Sequence, residues 1–172
     1  MKEYERIYMP KQFTFFLCLM LAISFVCYSQ SSNDTENLSE WVEIYQITLE
    51  SYLQQDTALN ANIDFIAIDL ATLEFTDDYD KKEIASWFEK QCVPVINTNF
   101  DGLRASGLLD ERGTHIPNGV LLGINKVART HDEIIINGMK YRGNHGANGF
   151  RTTWQLNKGI WQFAGTVMTW IS

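Results

Sequence analysis

Few residues in this chain could do chemistry, and they are scattered. His115, His131 and His145 have fifteen and thirteen residues between them. Neither interval has the HxxxH or HxH spacing that sets two imidazoles on one side of a helix or strand, so no metal site is expected. Cys92 with one of these histidines could form a thiol nucleophile and its base, a pair that works only at hydrogen-bonding distance. Its phase with Ile84 and Phe88 is instead that of a small buried hydrophobe, and we read it as inert. Asp77, Asp78 and Asp80 offer oxygen ligands for calcium. A calcium loop would continue through a turn glycine to a distal glutamate, and here Lys81 and Lys82 follow. Helix capping explains the cluster, and no cofactor is expected.

The segment with most to offer is YRGNHGANG, residues 141–149. Its glycines at 143, 146 and 149 do not make a phosphate loop, which needs Gly-Lys followed by Ser or Thr. Nor do they make the dinucleotide turn, which opens a helix. Strands are expected on both sides. One reading is a wide, glycine-bent connection between those strands. The other is a binding rim on a rigid sheet. In the rim reading Arg142 grips an anion, Asn144 and His145 supply hydrogen bonds, and Tyr141 offers a stacking face. These four are the candidate ligand-binding residues.

The elements that must hold such a rim follow from periodicity. Trp41, Ile44, Tyr45, Thr48, Leu49 and Tyr52 recur at three- and four-residue spacing and predict a helix over 38–54, capped by Asn37 or Ser39. The apolar run at 65–68 reads as a buried strand. A second helix is predicted with Asp80 and Glu83 as its capping box, ending before Pro94 and followed by an extended stretch to Asn97. Thr98 with Asp101 would open a short third helix that Gly107 ends. Residues 110–113 and 117–119 read as turns, 120–130 and 133–142 as strands, and Asn137-Gly138 as a bulge or tight turn. A strand at 150–156, a hairpin loop at 157–159 with Gly159 left-handed, and a last strand at 160–171 bent at Gly165 complete the reading.

The chain opens with a different kind of segment. Residues 13–28, FTFFLCLMLAISFVCY, follow Lys2, Arg6 and Lys11, and no further Lys or Arg appears before Lys81. A positive start, a short apolar run and a polar exit are the layout of a secretory signal. The run is shorter than the roughly 20 residues of a spanning helix, so no stable membrane anchor is expected. Cleavage is expected near Ser29/Gln30, giving a secreted or periplasmic protein. The expected division is a signal peptide at 1–29, a flexible leader at 30–37 and a single α+β domain at 38–172. Removing 1–29 takes away three basic and two acidic residues, so the formal charge moves from −7 to −8. Phosphate-rich partners would be repelled, which excludes nucleic acid as a favoured ligand. Cys92 is then the last cysteine, and the domain must hold together without an internal disulfide.

Helices first, then a meander of long bent strands, is also the order of the cystatin-like cone folds. The run TTWQLNKGIWQF, residues 152–163, resembles the penultimate hairpin of the nuclear-transport-factor-two-like superfamily, where a Trp after the hairpin glycine packs into the cone as Trp161 would here. That resemblance implies N-terminal helices packed on a curved antiparallel β-sheet. An inserted strand–helix–strand unit would be a departure. The superfamily holds isomerases, dehydratases and binding modules, and no catalytic residue carries over. The favoured function is an exported non-enzymatic binding module for a small-molecule ligand or a protein partner. The alternatives are a small hydrolase or isomerase using His145 with a carboxylate, and an acidic inhibitor of a basic secreted enzyme.

Overall fold

A computed structural model of the chain describes residues 39–90 and 93–172. The expected signal segment, the leader and Cys92 lie outside these residues. Helix α1 spans Glu40–Gln54, with the Ser39 hydroxyl accepting from the Trp41 N–H. The stripe expected from its periodicity is the buried one: Trp41, Ile44, Tyr45, Thr48, Leu49 and Tyr52 all face the core. Strand β1 (Phe65–Ile68) follows, then helix α2 (Asp78–Glu89), strand β2 (Val95–Asn97) and the short helix α3 (Phe100–Ala105). Four long strands finish the chain: β3 (Gly119–Arg129), β4 (Glu133–Gly143), β5 (Gly146–Asn157) and β6 (Ile160–Ile171).

Both later caps differ from expectation. The capping box of α2 joins Asp77 to Asp80, one turn earlier than the Asp80–Glu83 pair. Asp77 is extended, so its carboxylate can turn back to the Asp80 N–H at 2.9 Å, and the helix starts directly after it. On α3 the cap is Asn99, which accepts from the Gly102 N–H at 2.9 Å, and not Thr98.

The fold is α+β, but the sheet is mixed and not antiparallel throughout. Its order is β2-β1-β3-β4-β5-β6, with β1 parallel to both neighbours and β3 to β6 antiparallel. The β1–α2–β2 stretch is therefore a crossover unit added to the edge of the meander. Its sequence shows why. All four residues of β1 are buried, as in a strand covered on both faces. Ile66 and Ile68 join the larger core with α1 and α2, whereas Phe65 and Ala67 join a smaller one with Leu103, Ile116 and Leu121. By contrast β4 alternates between buried and half-buried positions along most of its length.

The large core is filled by aromatic rings. Tyr52 stacks on Phe150 at 4.8 Å, and the Trp154 indole N–H donates to the Thr48 hydroxyl at 3.0 Å. Helix and sheet meet so closely that a Cβ on Gly138 would stand 2.5 Å from both the Gly123 carbonyl and the Tyr52 ring. The pairing of β3 with β4 shifts beside this contact, with Asn125 the extra residue. Trp161 is partly buried and packs against the large core, with Arg129 over its ring; Trp154 is the fully packed indole. Trp154 and Trp161 sit two registers apart across the hairpin, Trp161 facing Leu156 on the strand nearer the edge.

The glycine-rich segment is also not the open connection expected. β4 runs to Gly143 and β5 starts at Gly146, leaving Asn144-His145 as the tip. The glycines hid this strand because they carry none of the β-branched or aromatic signal by which strands are recognised.

Candidate functional site

The tip of the β4–β5 hairpin borders a cleft of about 380 Å³ lined by Leu59, Asp110, Arg112, Thr114, His115 and residues 142–146. Three pieces of chain build it. The loop at 110–115 is closed by its own carboxylate: Asp110 Oδ1 accepts from the N–H groups of Thr114 (2.7 Å) and His115 (2.9 Å). The Ile116 N–H then bonds the Arg142 carbonyl at 2.7 Å, which joins this loop to the end of β4. The third piece is the 3₁₀ turn Thr57–Asn60 after α1.

That turn is held to the sheet by cations. Lys140 is fully buried, and its ammonium donates to the carbonyls of Leu53 (3.3 Å), Asp56 (3.0 Å) and Gln55 and to the Asn60 side-chain oxygen (3.2 Å). The last turn of α1 has no basic residue of its own. Lys140 therefore supplies, from the sheet, the charge that suits the negative end of the helix. Burial lowers its pKa to about 8, with Asp56 acting weakly the other way. Asn148, opposite Lys140 on β5, donates to the Asp56 carboxylate at 2.9 Å.

The four candidate rim residues are brought to one place but have unequal freedom. Arg142 donates to the carbonyls of Leu59 (3.0 Å), Ala61 (2.6 Å) and Pro117 (2.9 Å), so much of its guanidinium is spent holding loops together. No carboxylate pairs with it among the described residues. Tyr141 presents its ring edge-on to Phe100 at 5.4 Å and its hydroxyl to the Thr114 carbonyl and Asn144. It packs against the smaller core and does not line the cleft. Burial raises its pKa, helped by the nearby Asp110 charge. Asn144 and His145 are exposed at the tip and do line the cleft.

Spacing alone missed Arg112 and His115 as partners of His145. Both sit in a turn that is distant in sequence and meets the hairpin only in the folded chain. Asp110 is held below the usual carboxylate range, first by the Thr114 and His115 backbone N–H groups, then by the His115 and Arg112 side chains. It makes no hydrogen bond to His145, and its oxygen is already used by its own loop. Asp110, the carboxylate that lines the cleft with His145, is therefore not paired with it. His131 lies at the far hairpin, between β3 and β4. Among the described residues no three His, Cys, Asp or Glu side chains gather as a metal site, and no helix is long and apolar enough to cross a membrane.

No family model, curated protein or solved structure matches this chain.

Proposed function

We propose that this chain is an exported, non-enzymatic binding module, and that its ligand is a small anion held in the cleft at the β4–β5 tip. One observation carries the reading: Arg112, Arg142, His115 and His145 converge on a single cleft of an otherwise acidic chain. The one carboxylate in the lining, Asp110, is turned into its own loop. A carboxylate or phosphate group would find charge-assisted donors there with little competing negative charge. Arg142 is already oriented by three carbonyls, which lowers the entropy lost on binding.

The likeness to the cystatin-like cone belongs to this proposal too. Helix α1 lies over long strands whose registers shift at several points, a means of bending a sheet. The space beneath it is filled by Tyr45, Tyr52, Phe150 and Trp154, which favours a ligand at the rim over one inside.

The test is a titration of the ¹⁵N-labelled protein with inorganic phosphate and with succinate, followed by backbone amide shifts. Saturating shifts confined to 110–116 and 142–146, lost in Arg112→Ala, support the site. Absence of shifts there at millimolar anion removes it.

A further inference from the structure

We propose that β6 is a self-association strand, pairing with β6 of a second copy of this chain about a two-fold axis. Eight large apolar residues are exposed among the described residues, and five of them lie on this one strand: Ile160, Phe163, Val167, Trp170 and Ile171, each 42 to 71 % exposed. They occur on both sides of it. Phe163 stands opposite Trp154 on the helix-covered face, whereas Val167 stands opposite Arg151 and Trp170 opposite Gly149 on the other face. Trp170 lies so close over Gly149 that no side chain fits there. Its position is thus built into β5.

β6 is the last strand of the sheet, and no strand among the described residues pairs with its outer edge. Natural edge strands of this length are blunted by charge, proline or bulges. β6 contains neither proline nor any charged residue. It does have two irregular points, at Ala164 and Thr169, where its register with β5 shifts. The stretch between them is regular over 166–168, after Gly165 at φ +141°, and sits near the middle of the strand. An antiparallel copy centred on Val167 would set Val167 opposite its own copy and Thr166 opposite Met168, pairs that share a face, and the irregularities at Ala164 and Thr169 lie outside that stretch.

Charge selects a second copy as the occupant. All 21 acidic residues lie at or before Glu133, and the only Lys and Arg after it are Lys140, Arg142, Arg151 and Lys158. Two molecules of net charge −7 repel in most orientations. Meeting through β6 places neutral strands together, with no carboxylate on β4 beyond Glu133 or anywhere on β5 and β6. The five side chains offer roughly 500 Å² of apolar surface per copy, and the strand backbone adds to it. Pairing at the middle of β6 covers Val167 and only part of the rest, less than the ~800 Å² per partner of a standard interface, so a dimer of micromolar affinity is expected.

Sedimentation equilibrium of the purified protein over roughly 5 to 200 µM tests this. The expected result is twice the monomer mass, with Val167→Lys raising the dimer dissociation constant at least roughly tenfold, because two introduced cations would meet near the axis. Amide exchange in 165–168 of the unmodified protein should slow as concentration rises, which keeps the test valid if the variant folds poorly. A monomer at every concentration overturns the proposal. So does a dimer that Val167→Lys leaves unchanged, or exchange in 165–168 that does not depend on concentration.

Discussion

The two tryptophans of the last hairpin show how far apart chemically equal residues can stand. Trp154 is 2 % exposed and donates to Thr48, while Trp161 is partly buried beneath Arg129. Trp154→Ala should cost about 3–5 kcal/mol, through lost burial and an opened cavity. Trp161→Ala should cost about 1 kcal/mol. Urea midpoints of the two variants measure this; equal losses would show that the strand phase is misread. The arginines of the cleft divide in the same way. Arg142→Ala frees the carbonyls of Leu59, Ala61 and Pro117 and should lower stability by about 1–3 kcal/mol. Arg112 makes no hydrogen bond or ion pair among the described residues, and Arg112→Ala should change stability by less than about 0.5 kcal/mol while removing phosphate binding. Thermal melts with and without phosphate separate the two effects.

The decisive element is the end of α1. A helix that finishes without a basic last turn leaves carbonyls to be satisfied from elsewhere, and Lys140 on β4 reaches them. Lys140→Met should cost about 3 kcal/mol by leaving those acceptors unpaired, and it should loosen Thr57–Asn60, one wall of the cleft. The pH dependence has a definite sign. With the Lys140 pKa depressed from 10.5 to about 8, the unfolded chain binds more protons than the folded one between those values. The contribution of this group to stability therefore rises with pH across that window and is flat below it. The difference between wild type and Lys140→Met, measured by urea unfolding from pH 7.5 to 10, should grow with pH. A difference that shrinks would contradict the buried-cation account. At the start of α2, Asp77→Ala should cost about 1 kcal/mol, since it removes one half of a reciprocal cap.

For the whole molecule, charge and compartment set the terms. The chain carries all its acids at or before Glu133, and β5 and β6 have none, so the −7 charge is not spread evenly. Export remains a proposal that rests on residues 13–28, with a product expected to begin near Gln30. Intact mass of the protein recovered from its native host measures this, and retention of 13–28 would remove the signal reading.

Local physics made much of this chain legible before it was seen folded. The stripe of α1, the buried run of β1 and the left-handed Gly159, at φ +82°, each follow from interactions within a few residues. Periodicity and turn chemistry report such interactions directly. The candidate rim was partly legible, because Asn144 and His145 sit at a tip that the glycines marked. What the sequence could not show was which groups the rim would meet. Arg112 and His115 arrive from a loop about thirty residues away, and Lys140 spans more than eighty residues to cap α1. The parallel pairing of β1 with β2 and β3, and the exposure of β6, are likewise decided by which strands become neighbours. Those contacts form only when the chain closes into one sheet, and no spacing along the sequence records them.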